Sequence, residues 1–419
     1  MEDKHGQPLL GGLNGMSSDA SVLSMAAKQA IIHDAAFEAL ATYASSQRSS
    51  PLQHFHDAGP AVLAALAAAS GHEVGHEVSV RALGAWLDGF PGGTVSAGVF
   101  GGLSGFLVGV QVASSFYPRL IPLARQLRNA LANAATDRHW RTEAVAWEDY
   151  DLVSGPAGMI LALATDHSCS PQFILPTARH LALLCDSDDL ERLRVGAYRD
   201  DELRAWNYGR INSGLAHGVT GVAAALRSAS EIAVEVREEL SPPLQRVCRW
   251  LIADSYVDDR ELWTWHPAGL EGGVGPRSAI RRQAWCYGTP SVAWTLWEAA
   301  RVLGDVTLQA FAEDAMRSFC TAFDETFYID KGPVSDALGV CHGAAGMLAI
   351  ADAFALHPGL TEAASLRDRL EGYLLDRIDE IQWLAHRDMT LITGASGILA
   401  VLLTRHGAQR EWLSQIALR

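Results

Sequence analysis

The apolar residues of this 419-residue chain cluster in runs that are hydrophobic on every face. Longer amphipathic stretches lie between these runs, for example 189–206 and 362–384, with charges spaced as on a surface helix. Runs that are apolar all round are typical of helices buried on all sides. Few segments alternate apolar and polar residues as strands do. The pattern therefore predicts an all-α protein in which buried helices alternate with half-exposed ones.

A short phrase recurs six times and marks where each buried helix is expected to begin. It consists of a small residue, two variable residues, a second small residue and an apolar run. The second small residue is glycine in five copies and Ser291 in the other. Copies are separated by about 50 to 70 residues, a period that holds two helices and their connections. The first small residue is always glycine: Gly102, Gly155, Gly218, Gly288, Gly343 and Gly394.

The paired glycines indicate how the helices are arranged. Glycine is less favourable than alanine inside a helix by about 1 kcal/mol. Its recurrence at i and i+3 therefore indicates a steric need, which we interpret as close approach of several helix starts around a crowded axis. The architecture that fits is an α/α toroid, with inner helices ringed by outer ones, in a single domain over residues 1–419. The irregular stretches 165–212 and 240–282 leave room for a small inserted subdomain.

Charge and cysteine content argue against a nucleic-acid-binding protein and against a secreted, disulfide-linked one. Forty-eight acidic residues against 33 basic ones give a net charge of −15. Such a surface repels phosphate backbones, so we expect no binding to nucleic acid. Six cysteines are too few for a disulfide scaffold, and residues 1–15 lack the apolar core of a secretory signal. We expect a cytoplasmic protein, free or associated with a membrane through a complex.

One uncharged stretch, 89–118, is long enough to cross a bilayer. It contains Pro91 and the turn-like sequence GFPGG at 89–93, and no second stretch matches it. A fully buried helix of a large helical protein explains the stretch better. We therefore do not expect an integral membrane protein.

Three of the phrases carry residues with metal chemistry immediately before the first glycine. His217 precedes the third phrase, Cys286 and Tyr287 the fourth, and Cys341 and His342 the fifth. If the inner helices start at one level, these side chains converge at one end of the ring. Cys286, Cys341 and His342 would then form a Cys₂His set, which in catalytic zinc sites leaves the fourth position open. The cysteines outside the phrases, expected to be structural, are Cys169, Cys185, Cys248 and Cys320.

The strings DLVSGPAG, GLAHG, AWCYG and GVCHG resemble motifs of the lanthipeptide synthetase C-like proteins, the lanthionine cyclases. The resemblance extends over about residues 95–405 and implies an α/α toroid of seven helix pairs with one zinc ion. The region 58–70 would be a degenerate seventh copy of the phrase. Carried over by motif position, the zinc ligands of the family fall on Cys286, Cys341 and His342.

The resemblance also implies a reaction, in which a peptide cysteine thiol adds to dehydroalanine or dehydrobutyrine and closes a thioether ring. In this comparison the histidine of the family falls on His217, its aspartate on Asp151 and its arginine on Arg282. We expect His217 to be the general acid, Asp151 to orient it and Arg282 to stabilise the enolate. Tyr287, beside the metal-binding cysteine, could act in catalysis or simply pack.

The implied partners follow from the same resemblance. The substrate would be a dehydrated lanthipeptide precursor with its leader, as in antibiotic biosynthesis. A dehydratase would supply it, with a transporter as a further candidate member of the complex. Zn²⁺ is the implied cofactor.

Two other functions stay open at this stage. A cyclase-like protein could keep the zinc site yet serve as an adaptor that binds thiols such as glutathione without catalysis. A more distant alternative rests on the sequence HEVGH at 72–76, whose two histidines and Glu73 fit the pattern of zinc peptidases. The longer spacing that would supply a third ligand is missing after this motif.

Overall fold

The fold consists almost entirely of α-helices. The computed structural model describes residues 24–46, 57–89, 96–166, 169–270, 273, 275–276, 278–329 and 332–419. A two-stranded antiparallel hairpin, β1 (Tyr256–Val257) and β2 (Trp263–Thr264), lies between the ninth and tenth helices. The helices of this part of the chain are α1 (Met25–Ser46), α2 (Gly59–Ala68), α3 (Glu73–Asp88), α4 (Leu103–Ser114), α5 (Ile121–Asp137), α6 (Pro156–Ala164), α7 (Leu175–Leu184), α8 (Val219–Ile232), α9 (Arg237–Ala253), α10 (Thr289–Leu303), α11 (Val306–Ala322), α12 (Glu325–Tyr328), α13 (Val334–Leu338), α14 (Ala344–Leu356), α15 (Thr361–Leu375), α16 (Ile378–Ala385) and α17 (Ala395–Arg405).

Seven helices that are buried along most of their length form a closed inner ring. In ring order they are α2, α4, α6, α8, α10, α14 and α17, and α17 packs in turn against α2. Six of them start at the six glycine phrases, and α2 occupies the place of the degenerate seventh copy. The uncharged stretch contributes the buried helix α4. The prediction of an α/α toroid is therefore confirmed.

The outer helices pack with one face against the inner ring. α3, α5, α7, α9, α11 and α15 each contact the inner helix that precedes them, while α1 contacts α2 and α17. In α9 the buried stripe includes Leu240, Leu244, Val247 and Leu251. Their spacing places them on one helix face. Full burial of each side chain contributes about 1.5–3 kcal/mol.

The glycines of the phrases solve a local packing problem. In all six copies the first glycine is the N-cap residue of the inner helix. A Cβ at Gly158 would clash with the carbonyl oxygen of Leu152, and one at Gly397 with that of Leu391. Contacts with the neighbouring repeat are less severe, since Val340 lies 3.0 Å from such a Cβ at Gly397. The predicted crowding between helix starts is therefore secondary, because each glycine mainly accommodates the turn before its own helix.

Backbone hydrogen bonds join the turns before the inner helices into a ring, which we call the collar. Leu215 N–H donates to the carbonyl of Cys286 at 2.9 Å, and Cys286 N–H donates to that of Cys341 at 3.3 Å. Cys341 N–H donates in turn to Ile392 at 2.9 Å. The collar continues through Leu152 to Ala216 and through Val99 to Val153. It fixes the residues that precede the phrases at one level of the toroid.

The C-terminal segment 410–419 fills the inside of the ring below the collar. Gln415 is fully buried and its amide donates to the carbonyl of Val99 at 2.8 Å. The indole of Trp285 donates to the carbonyl of Ile416 at 2.8 Å. The turn Glu411–Ile416 also contacts α4 and α6. The segment thus joins opposite sides of the toroid and supports the turn that carries Cys286.

Several expectations concern regions that are only partly described. Residues 1–15 and the turn beyond Gly89 lie outside the described residues. Over the part of the chain that is described, no helix is both long and apolar enough to traverse a bilayer. The stretch 240–282 contributes the β1–β2 hairpin, and 165–212 contributes α7 and short 3₁₀ turns. No larger sheet is present among the described residues.

Candidate active site

Cys286, Cys341 and His342 meet at the collar. One ligand atom from each lies within 4.8 Å of those of the other two, and no other such group of three is found in the described part of the chain. Cys286 is buried, whereas Cys341 and His342 are partly exposed. The predicted convergence of the two neighbouring repeats is confirmed. Two sulfurs and one imidazole match the donor set of a zinc site that has three protein ligands and an open fourth position.

The electrostatics of the three residues favour a thiolate at Cys341. A hydrogen bond from Cys286 lowers the pKa of Cys341 to about 5, against the effect of burial and with help from His342 and His217. Burial raises the pKa of Cys286, although the charge of Arg282 opposes this. The thiolate is the form of cysteine that binds a metal, so the lowered pKa of Cys341 favours binding of a cation.

A carboxylate lies behind the imidazole of His342. Asp336, on α13, accepts a hydrogen bond from Nδ1 of His342 at 3.1 Å. A carboxylate in this position fixes the histidine tautomer and leaves Nε2 for a metal. The sequence reasoning missed Asp336, which stands six residues from His342 with no motif to mark it.

His217 and Asp151 form a hydrogen-bonded pair across two neighbouring repeats. Nδ1 of His217 donates to Oδ2 of Asp151 at 2.6 Å, and the aspartate is fully buried. The other carboxylate oxygen accepts the N–H groups of Ser154 (2.8 Å) and Gly155 (2.7 Å), which open α6. Burial raises the pKa of Asp151, and these bonds lower it in partial compensation. Asp151 therefore fixes the imidazole of His217 through Nδ1, and Nε2 takes no part in this hydrogen bond.

Two aromatic residues also contact His217, one at its ring and one at its backbone. The ring of Trp147 stacks on the imidazole with centroids 4.1 Å apart and an interplanar angle of 17°. The hydroxyl of Tyr150 donates to the carbonyl of His217 at 3.0 Å. Neither residue was predicted to belong to the site. Trp147 lies four residues before Asp151, outside any periodic pattern, so only the local density of polar and aromatic residues could have indicated it.

Tyr287 and Arg282 flank the turn that carries Cys286. The ring of Tyr287 packs against Gly214, where a side chain would collide with it, and its hydroxyl accepts a hydrogen bond from Asn212 at 3.1 Å. Arg282 is exposed, and its charge acts on both Cys286 and His342. Burial nevertheless raises the pKa of Cys286, and the hydrogen bond with Cys341 raises that of His342. The predicted residues therefore surround one site, although their roles stay predictions.

The HEVGH sequence is not part of a three-ligand group among the described residues. His72 is the N-cap residue of α3 and its ring contacts that of His33 at 5.4 Å. His76 contacts Tyr117 at 5.8 Å between ring centroids. The motif thus packs between outer elements and gives no support to a peptidase.

The four cysteines outside the phrases are all buried thiols without disulfide partners. Burial raises the pKa of Cys169 to about 11 and those of Cys248 and Cys320 to about 12. Thiols in such surroundings stay protonated and inert. Their structural role agrees with expectation.

Comparison with known proteins agrees with the observed fold. The sequence matches the family described as lanthionine synthetase C-like protein over residues 61–416. No curated protein matches the sequence. Among solved structures, the fold is similar to that of nisin cyclase, with a TM-score of 0.74 and 16% sequence identity over 94% of this chain and 98% of the other. The chain therefore belongs to the lanthionine synthetase C-like family.

Proposed function

We propose that this protein is a zinc-dependent lanthionine cyclase, which adds cysteine thiols of a peptide to dehydroalanine or dehydrobutyrine residues. The observation that carries the proposal is the meeting of two sets of residues at one end of the toroid. One set, Cys286, Cys341 and His342, has the composition of a zinc site. The other is His217, held by Asp151 at 2.6 Å and close enough to influence the pKa of Cys341.

The residues present fit a zinc ion. Two thiol groups and one imidazole supply three ligands, and the carboxylate of Asp336 holds the imidazole from behind. A bound zinc ion would supply Lewis-acid chemistry, lowering the pKa of an incoming peptide thiol so that it is a thiolate at neutral pH.

The protein side chains would manage the charge and the proton of the addition. The sulfur forms a bond to the β-carbon, the carbon–carbon double bond opens, and its electron pair becomes an enolate. Arg282 would stabilise the enolate oxygen, and Nε2 of His217 would deliver a proton to the α-carbon. The thiol loses one proton and the α-carbon gains one, so the product has the mass of the substrate.

Asp151 keeps His217 ready for this transfer. Its buried carboxylate accepts a hydrogen bond from Nδ1–H, so the opposite nitrogen points away from the pair. The stacked ring of Trp147 restricts rotation of the imidazole.

The proposed reaction requires a substrate that already contains dehydrated residues. A dehydratase acting on serine and threonine must therefore precede this protein, and a precursor peptide with a leader is the substrate class that we propose. A transporter of the finished peptide is a further proposed partner.

The test uses a dehydrated peptide with one free cysteine and the zinc-loaded protein. Ring closure leaves the mass unchanged, so the readout is loss of thiol that can be alkylated. We expect the thiol to disappear with the wild-type protein and to persist with zinc-free protein. Persistence of the thiol with several peptides, together with measurable binding of glutathione, would support the adaptor function instead.

A further inference from the structure

An exposed tryptophan joins the two halves of the candidate site. Trp206 lies in the 3₁₀ turn Ala205–Asn207, and its side chain is 44% exposed. Its ring lies 6.3 Å from that of Tyr287, which follows Cys286, and 6.4 Å from that of Trp147, which stacks on His217. Trp206 therefore borders both the metal-binding turn and the proton-donating pair.

The loop around Trp206 is held rigidly by the rest of the chain. The backbone of Gly196 donates to the carbonyl of Val145 at 3.0 Å, next to the segment that carries Trp147. The hydroxyl of Tyr198 donates to Glu148 at 2.6 Å, and the guanidinium of Arg204 lies 4.2 Å above the ring of Tyr198. Because the loop is fixed before any ligand arrives, contact with Trp206 costs little conformational entropy.

A second apolar side chain is exposed on the same loop. Leu203, three residues before Trp206, is 84% exposed. The position of Trp206 next to Tyr287 makes a molecule bound at the site the occupant most directly supported by the structure.

We propose that Trp206, assisted by Leu203, binds an apolar side chain of the peptide substrate close to the reacting residue. This inference rests on the proposed function and names a specificity-determining contact for it. The ring of Trp206 lies 6.3 Å from that of Tyr287, the residue after Cys286, so the contacted side chain would belong to a residue that flanks the reacting cysteine.

The experiment compares two peptides that differ at the residues on either side of the cysteine, which are leucine in one peptide and serine in the other. With the wild-type protein we expect the leucine peptide to have a KM about tenfold lower, the size of effect typical of one buried aromatic contact. Trp206→Ala should abolish this preference, so that the two peptides have the same KM. Trp206→Phe should keep most of it, which separates loss of contact from loss of folding.

Trp383 offers a matched control. It is 48% exposed, but it lies on the outer helix α16 under the guanidinium of Arg387. Trp383→Ala should therefore leave the preference intact. If Trp206→Ala and Trp383→Ala retain the same preference as the wild type, the inference is wrong.

A binding measurement makes failure of the inference distinguishable from failure of the proposed function. Unreactive versions of both peptides, with serine in place of cysteine, are titrated by calorimetry against the zinc-loaded protein. If the wild type shows no ring closure and binds neither peptide, both proposals are wrong. If ring closure proceeds but neither KM nor Kd distinguishes the peptides, only the contact with Trp206 is wrong.

Discussion

The carboxylate of Asp336 lies 3.1 Å from Nδ1 of His342 and holds this imidazole against the two cysteines. Removal of such a partner typically lowers metal affinity by about 10- to 100-fold. We expect Asp336→Ala to weaken zinc binding within this range, as measured by competition with a chromophoric chelator. Asp336→Asn should weaken it less, because the amide oxygen still accepts the bond. Equal affinity of Asp336→Ala and the wild type would show that the contact does not support the metal site.

The ligand set itself leads to a stoichiometric prediction. Purified protein should contain about one zinc ion per chain. Cys341→Ala should lose it because two ligands do not suffice to retain the metal. His72→Ala should keep it, since His72 lies outside the three-residue cluster. Elemental analysis of the dialysed variants measures the outcome, and the reverse pattern would favour the peptidase alternative.

His217 is expected to act on the reaction without holding the metal. His217→Asn should retain zinc yet slow ring closure by about 10²–10⁴-fold, the usual contribution of a general acid. Single-turnover alkylation assays alongside zinc analysis measure the two effects separately. Loss of zinc in this variant would make His217 a ligand. Unchanged rates would assign the proton transfer to another group.

The glycines at helix starts should differ sharply from glycines elsewhere. Gly397→Ala forces a methyl group against the carbonyl of Leu391 and should destabilise the protein by about 1–3 kcal/mol. Gly372→Ala in α15 meets no atom within 4 Å and should stabilise by about 0.5–1 kcal/mol. Denaturant unfolding of both variants measures the contrast. Similar effects at the two positions would contradict the packing argument.

A buried ion cluster far from the site should make stability depend on acid. Burial opposes ionisation of Glu371, but hydrogen bonds from His406 (2.7 Å) and Lys28 (2.6 Å) prevail and lower its pKa to about 2. Because the ordinary pKa is 4.5, this contribution is complete above pH 4.5 and is lost as the pH falls toward 2.

The check for Glu371 is a pair of unfolding titrations at about pH 5 and about pH 3, with Glu371→Gln as the variant. The difference in unfolding free energy between wild type and variant should shrink at the lower pH. Glu325→Gln serves as the control, because Glu325 pairs with Arg369 and is more exposed than Glu371. A difference that is constant with pH would show that Glu371 contributes through packing rather than charge.

The sequence allowed prediction of the helix starts and the metal cluster because both are encoded locally. A glycine at the N-cap and a cysteine or histidine just before it lie within a few residues of each other, and the ring geometry then brings copies together. The start of α2 departs from the glycine phrase that precedes the other inner helices, and the structure gives a physical reason. There the side chain of Asp57 accepts the N–H groups of Gly59 (2.7 Å) and Leu391 (2.6 Å), so a carboxylate takes the place of a backbone carbonyl in the collar.

Residues that act across repeats could not be predicted in this way. Trp147 and Trp206 reach the site from short 3₁₀ turns and Asp336 from the short helix α13, and the paths of these segments depend on contacts elsewhere in the chain. No spacing in the sequence records these contacts. The steric role of the glycines was also misjudged in part, because periodicity shows where a small residue recurs and does not show which atoms it accommodates.

The C-terminal segment that occupies the inside of the ring has a consequence for how a long substrate is handled. With Gln415 bonded to Val99 and Ile416 bonded to Trp285, the centre of the toroid is plugged. We therefore expect that a peptide is not threaded through the ring from one side to the other. For the proposed reaction, each thioether must therefore be made by inserting a loop of the peptide at the open face and withdrawing it by the same route, so multiple rings require repeated visits.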